Sequence, residues 1–500
     1  MNQRKMGVII SYANMILNIV LGIFYTPFML KQLGEHEYGI YSLAGSLTAF
    51  VTMLDLGFNQ TLVRYLSKYR ATGNKEEESL LLGFFMKLYS CIAVIACVLG
   101  GALLYIYPMT CKKTMSMNEL HTFRIVFLVL LVNIVVSFPL CVFSAILNTY
   151  ERFVYMKVVS FVCVILKYGC ITIALLWGYK SVALAVISAA ASILTQLCYI
   201  IYCIRKMHLK FKFGKVENEL IKEIMAFSFF IFLNIVIDYL YNNTDKLILG
   251  SASGAVAVSV YTVGIQFTTY FQEMSTTVCG VFLPRISYLY EHDKNMQGIS
   301  EMFNKVGRIQ MMILFFVLSA FAAFGKGFIQ LWVGETYSDA YFIALIIMIP
   351  AIVPLTQNLG ITILRVMNKH KYRSYMYLVI AILNVGISIP LAMHYDGIGT
   401  AIGTCIANLL GQILFMNFFY AKIIQLDIKA YWKSFIKFLI YSIPFVLVFR
   451  ICTIESWYTF ILWAVIYSIF YLCGCLLLLA NGYERDLVKS IIRRIVHQND

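Results

Sequence analysis

Charge is scarce in this 500-residue chain. Asp, Glu, Lys and Arg make up 13% of it and hydrophobic residues 61%, against about 25% and roughly 45–50% in a soluble domain. That excludes a water-soluble protein, because no single core could hide so much apolar surface. Acidic residues are scarcer still, 25 against 40 Lys and Arg. Eight prolines and no Gly/Ser- or Gln-rich tract exclude disordered and collagen-like classes. The 13 cysteines include no CxxC pair and no zinc-spaced Cys/His cluster, so no metal site or cofactor is expected. Nearly all of them lie in apolar runs as small fillers, and only Cys111 falls in an exterior loop. Walker-type, GxSxG and HExxH sequences are missing, and no loop carries paired carboxylates, so an enzyme such as a membrane glycosyltransferase or polymerase is not expected.

What is abundant is long apolar runs. Stretches of about 20 mostly apolar residues, the length a bilayer span requires, occupy 8–31, 38–62, 80–107, 121–148, 155–177 and 181–204. After a polar interruption they resume at 224–250, 254–284, 305–331, 339–364, 374–394, 397–422, 433–452 and 456–480. They are continuous rather than alternating, which excludes a barrel. The pattern predicts an all-α integral membrane protein with about 14 transmembrane helices. The start, MNQRKMGV, has the charge of a signal peptide, but no small-residue cleavage site follows, so an uncleaved first span is expected.

Lys and Arg orient the chain. Counted over alternate loops from the N-terminus, thirty fall on one side and six on the other; Lys87, Arg124, Lys167 and Lys246 lie within spans, accounting for all 40. The positive-inside rule puts both termini in the cytoplasm. Basic loops facing anionic headgroups explain the net charge of +15 without nucleic acid as a partner.

The segment LNIVLGIFYTPFMLKQLG (17–34) has an echo in LNIVIDYLYNNTDKLILG (233–250), with Tyr25 matching Tyr241. Further marks follow at offsets of 217–221: Tyr41 and Tyr261, Arg64 and Arg285, Ile146-Leu147 and Ile363-Leu364. These predict a duplicated six-helix unit, residues 1–204 and 224–422, joined by a cytoplasmic linker at 205–223. Two additional transmembrane helices follow at 423–480. A basic tail at 481–500 is expected in the cytoplasm, with Leu487, Ile491, Ile492 and Ile495 on one helical face. Because six is even, both copies enter the membrane the same way, as parallel repeats around a central cleft. Such an architecture suits transport by alternating access.

TPFMLKQLGEHEYGIYSL after the first span, VRYLSKYRATGNKEE after the second and NTYERF after the fourth resemble the polysaccharide-unit flippases. So does NTDKLILG followed by VAVSVYTVG. These proteins belong to the multidrug/oligosaccharidyl-lipid/polysaccharide exporter superfamily, and the resemblance covers most of the chain. It implies a flippase of the bacterial cytoplasmic membrane that moves undecaprenyl-pyrophosphate-linked oligosaccharides from the inner to the outer leaflet for surface polysaccharide synthesis. The lipid-linked oligosaccharide, membrane lipids and polysaccharide polymerase or assembly proteins would be its partners, and a monomer is expected. A cation-coupled multidrug exporter and a peptidoglycan-precursor flippase would share the architecture. The absence of a carboxylate in the first helix and the presence of interior cations favour an anionic cargo.

Passing a pyrophosphate through hydrocarbon calls for cations in the cleft. Lys167 lies mid-span on a stripe of Ser160, Cys163, Cys170 and Ala174; Lys87 shares a stripe with Gly83, Ser90, Cys91 and Cys97. Small residues at helical spacing turn toward other helices or a cavity, although Lys87 also has the reach to snorkel to the inner headgroups. Arg124 is the third candidate. Asp55, Glu273, Asp238 and Asp245 are the candidate acids for ion coupling or cavity lining. Arg64 and Arg285, each at the cytoplasmic end of the second helix of its half, are candidate gate or headgroup contacts.

Overall fold

The computed structural model describes residues 3–207, 211–214, 216–279, 286, 288–290, 295–367 and 369–486. Within these, the side chains of 3–16, 18, 230, 234, 237–238, 241–242, 277–279, 370–372 and 374 lie outside the description. Among the described residues every regular element is helical, as expected where no water satisfies backbone groups. The helices are α1 (Gln3–Thr52), α2 (Phe58–Thr72), α3 (Lys75–Thr110), α4 (Met117–Thr149), α5 (Phe153–Leu176), α6 (Ser181–Met207) and α7 (Asn218–Ala252). They continue with α8 (Gly254–Cys279), α9 (Met296–Val333), α10 (Asp339–Thr356), α11 (Leu359–Val366), α12 (His370–Asn408), α13 (Ile428–Phe449) and α14 (Trp457–Gly474).

Among the described residues, ten stretches are long and apolar enough to cross a membrane, including Ile19–Thr72 with 54 residues and Tyr375–Ile424 with 50. At 1.5 Å per residue each of these two runs is about twice the hydrocarbon thickness or more, so each holds two spans. Both carry the necessary break. α1 is interrupted at Gly34 (φ 77°, ψ 170°), a backbone that glycine adopts without strain. α12 is interrupted at Tyr395 and Asp396 (φ 50°). With α7 (35 residues) and α8 (26 residues), helices stand at all the fourteen expected runs. The second span is itself broken: a 3-10 turn at Met53–Asp55 leads through Leu56 and Gly57, both at positive φ, into α2.

The chain divides into two compact units, residues 1–262 and 263–500. In the first, α4 packs on α1, α2, α3 and α6, and α7 lies against α1 and α2. In the second, α9 packs on α10, α13 and α14, and α10 on α12. The division falls within α8 rather than in the linker at 205–223, because α7 and the first turns of α8 are packed onto the N-terminal helices. Packing and sequence repeat thus divide the chain at different places. The linker is no free tether: the Lys212 N–H donates to the Ser79 carbonyl (3.0 Å) and its ammonium pairs with Glu76.

The repeat reappears in backbone detail. Ile146, Leu147, Ile363 and Leu364 are all fully buried. Their carbonyls accept from Tyr150 and Arg152 in one copy, and from Met367 and Lys369 in the other, all at 2.9 Å. The same helix ending, 217 positions apart, closes the fourth helix of each copy. The amphipathic tail residues Leu487, Ile491, Ile492 and Ile495 lie outside the described residues.

Candidate functional site

Within the first unit, the second span meets α7 and α8 along a seam of small and hydroxyl-bearing residues. At one end Gly39 lies so close to α8 that a Cβ there would stand 1.8 Å from the Ala255 carbonyl oxygen. Next, the Ser42 and Thr262 hydroxyls bond at 2.7 Å. Thr52 donates to the Tyr239 hydroxyl at 2.9 Å, and Thr61 bonds Ser228 at 2.7 Å. Arg64 closes the row, its guanidinium 4.1 Å from the Phe227 ring centre. Small residues let backbones approach where lipid supplies no hydrophobic drive. Ser42 and Thr262 are 220 residues apart, the same offset as Tyr41 and Tyr261. Thr114 and Tyr107 extend the seam from α3 and the turn after it, donating to the carbonyls of Gly250 (3.0 Å) and Leu247 (2.8 Å).

Asp55 sits at the break in the second span. The Tyr89 hydroxyl of α3 donates to its Oδ1 at 2.7 Å, and the backbone N–H groups of Gly57 and Asn59 face it. A carboxylate there sits at the positive end of the α2 dipole. Asp245 is buried at 3% exposure and accepts from Tyr261 at 2.6 Å, so the repeat mark Tyr261 holds one of the expected acids in place. In the second unit Glu273 is half-buried on α8, one turn from Tyr270. The Asp238 side chain and Arg285 lie outside the described residues.

Lys167 is half-buried between the buried Cys163 and Ile171, on the face of α5 that packs against α1 and α6. Its ammonium lies 4.7 Å from the Tyr168 ring centre, and that ring stacks edge-on with Tyr25 of α1 at 4.8 Å. Among the described residues no carboxylate comes within ion-pair distance of Lys167.

Two expected cavity cations are placed elsewhere. Lys87 is exposed on the α3 stripe of Cys91, Val94 and Val98, with the two valines 64% and 67% exposed, and its ammonium lies 5.5 Å from Phe213 of the linker. Arg124 is exposed on the α4 stripe of Leu128, Val132 and Val136. Exposed apolar stripes of this kind face lipid, so both cations occupy span ends from which they snorkel to headgroups.

Sequence reasoning missed other polar groups. Arg70 donates to the Thr149 carbonyl at 2.5 Å and lies over Tyr150, whose hydroxyl donates to the buried Glu78 at 2.5 Å; VRYLSKYR and NTYERF, quoted above as separate motifs, are one cluster. Arg308 forms a two-pronged pair with Glu484 at 2.7 and 3.0 Å. On α12 the hydroxyls of Ser388 and Thr404 both donate to the buried Asn384 Oδ1, at 2.9 and 3.1 Å. An apolar cleft of about 200 Å³ lies among α9, α10 and α13, lined by Phe315, Leu345, Ile349, Leu439 and Val446.

The family described as polysaccharide biosynthesis protein matches residues 5–290. The chain is 21% identical over 504 residues to "Uncharacterized membrane protein EpsK" of Bacillus subtilis (strain 168), with 96% of each covered. A solved lipid II flippase MurJ, in an inward closed conformation, shares the fold with a TM-score of 0.74 at 15% identity, covering 96% of this chain and 100% of its own. An inward-facing multidrug resistance MATE family transporter of the MOP superfamily follows at 0.60 and 12%, covering 79% and 92%. The fold is therefore the one that these two solved membrane transporters share. Since the family match runs through more than half of the 500 residues, from residue 5 to residue 290, the chain belongs to the polysaccharide biosynthesis protein family.

Proposed function

We propose that this protein flips polyprenyl-pyrophosphate-linked oligosaccharides from the inner to the outer leaflet of the bacterial cytoplasmic membrane, by alternating access, with both termini in the cytoplasm. The observation that carries the reading is Lys167. A cation on a packed face at mid-span, with no carboxylate beside it among the described residues, is costly to keep in a membrane. An anionic cargo offsets that cost when it binds, and a pyrophosphate supplies charge-assisted acceptors. Membership of a polysaccharide biosynthesis family and a fold shared with a lipid II flippase support the same class of cargo. The two six-helix copies would rock about the repeat axis, with the Ser42–Thr262 seam parting and closing on one side. The apolar cleft among α9, α10 and α13 suits a stretch of polyprenyl chain. Moving an anion out of an electrically negative interior yields about 2.3 kcal/mol per charge per 100 mV, and no Walker-type sequence offers a nucleotide route. Asp55 and Glu273 remain the proposed groups for a coupled ion.

The test is reconstitution of the full chain with a defined lipid-linked oligosaccharide under an imposed potential. Lys167→Ala should abolish flipping while the protein stays folded in the membrane, and Lys167→Arg should retain part of it. A Lys167→Ala protein that flips at the normal rate would overturn the reading. Efflux of cationic drugs without any flipping would assign the chain to the exporter alternative.

A further inference from the structure

The second unit holds a cavity of about 450 Å³ where α9 and α13 begin and the chain emerges from α14. The charge count assigns this end to the inner leaflet. One wall is a stripe of α9 at helical spacing, Gln297, Ser300, Glu301, Asn304, Lys305 and Arg308; Asp427 and Tyr483 stand opposite. Arg308 is fully engaged. Besides Glu484 it donates to the Leu479 carbonyl at 2.9 Å and the Ser434 hydroxyl at 3.2 Å, so this pair contributes no net charge to the cavity.

What remains is a divided pair. Glu301 and Lys305 stand at i and i+4, the spacing and order that favour an ion pair on a helix. Yet among the described residues they do not join. Lys305 places its ammonium 3.3 Å from the ring centre of Tyr483, and Glu301 accepts from Gln297 at 3.3 Å. Beside them Asn304 spends its NH2 on the carbonyls of Ser300 (3.3 Å) and Asp427 (3.1 Å), while its Oδ1 is buried with no partner. The cavity therefore presents a carboxylate on one side and a lone ammonium, braced by a ring, about one helical turn away.

We infer that this cavity binds the headgroup of a zwitterionic aminophospholipid of the inner leaflet. The lipid ammonium donates to Glu301, and its phosphodiester lies against Lys305. A two-carbon bridge separates the two lipid charges by about one helical turn, the separation that the stripe offers. The aromatic ring of Tyr483, 48% exposed, sits at the headgroup level where such rings are favoured. Phosphatidylglycerol, with a net negative charge and no ammonium, would set only neutral hydroxyls against Glu301 and Asp427. The inference rests on the cytoplasmic orientation of the proposed transport reading and is otherwise independent of the features that carry it.

The probes are dioctanoyl phosphatidylethanolamine and dioctanoyl phosphatidylglycerol, titrated onto the purified full chain in detergent and counted by native mass spectrometry. The first should bind roughly tenfold more tightly than the second, the worth of one charge-assisted hydrogen bond. Glu301→Gln should erase that preference, and Lys305→Gln should weaken both lipids, with thermal unfolding of both variants unchanged because neither touches the Arg308–Glu484 pair. Equal affinity for the two lipids, or a preference that survives Glu301→Gln, would overturn the inference. So would a lysine-rich peptide that displaces phosphatidylethanolamine from the wild-type protein, which would make this a surface for a cationic protein partner.

Discussion

The third helices of the two repeats, α3 and α9, carry a basic residue at matched positions, Lys87 and Arg308, 221 residues apart. Their surroundings are opposite. α3 shows lipid a bare apolar face, and Lys87 reaches along it to the Phe213 ring of the linker. The corresponding helix α9 is covered by α13 and α14. Arg308 retains 13% side-chain exposure and meets Glu484, which has 4%. Further along the same helix the added helices build an aromatic cluster in which Tyr467 touches Phe324, Phe445, Phe449 and Tyr471. The same repeat position thus has two solutions. A flexible ammonium suffices where headgroups are in reach; a planar, always-charged guanidinium with a bidentate partner is required where other helices close over it. The two C-terminal helices are integral to the second unit, held there by a buried ion pair that the first unit has no need of.

The comparison is broken most severely by removing one half of the buried pair. Arg308→Ala or Glu484→Ala leaves an uncompensated buried charge, and thermal unfolding in detergent should show a loss of about 3–5 kcal/mol. The combined Arg308→Met, Glu484→Leu protein should recover most of it, since well-packed apolar replacements of a buried pair are often neutral. Lys87→Ala, measured in the same way, should stay within about 1 kcal/mol. A Lys87 effect as large as that of Arg308 would show that the two environments are equivalent after all.

The seam is the next contrast, between residues that must part and residues that only pack. With Ser42 and Thr262 both replaced by Cys, oxidation should form a disulfide and stop flipping, and reductant should restore it. Flipping that continues in the fully cross-linked protein would show that this contact stays closed throughout the cycle. Gly39→Val should slow flipping without a cross-link, because its side chain collides with the α8 backbone.

The smallest effect concerns cysteines. Cys111 lies in the turn between α3 and α4, yet is only 1% exposed. Burial also pushes its thiol up from the ordinary cysteine range, so less thiolate is present at neutral pH. A polar maleimide applied from outside should label a Lys112→Cys protein and leave Cys111 unmodified. Labelling of Cys111 at a comparable rate would mean that the turn opens in the membrane.

Several features were legible before any coordinates. Crossing hydrocarbon demands about 20 apolar residues with all backbone groups satisfied inside the helix. Both demands act along one dimension, so the fourteen runs, and the helical nature of each, could be read from order alone. The repeat was legible for a similar reason: LNIV, the tyrosines and the paired Ile-Leu keep their spacing, and the matched endings at Leu147 and Leu364 depend on local backbone geometry. Motifs joined only in space were not. Arg70 and Glu78 look like ordinary loop charges until Tyr150 arrives from the end of α4.

What the chain order determined by itself is therefore where the helices lie along the sequence and that they come in two copies. Which way each helix faces was decided by tertiary structure alone. In water an amphipathic stripe would announce the buried face; in a bilayer, lipid tails are as apolar as leucine, and a span is hydrophobic all round. Lys87 and Lys167 sit on similar stripes of small residues, and nothing in the pattern separates them. Packing does: α5 turns Lys167 toward α1 and α6, whereas α3 turns Lys87 outward beside Val94 and Val98. The same holds for Arg308, which stands near the start of its apolar run at 305–331. Only the return of the chain from α14, 176 residues later, brings Glu484 to it, because an ion pair depends on distance through space and carries no signature in the spacing between its partners.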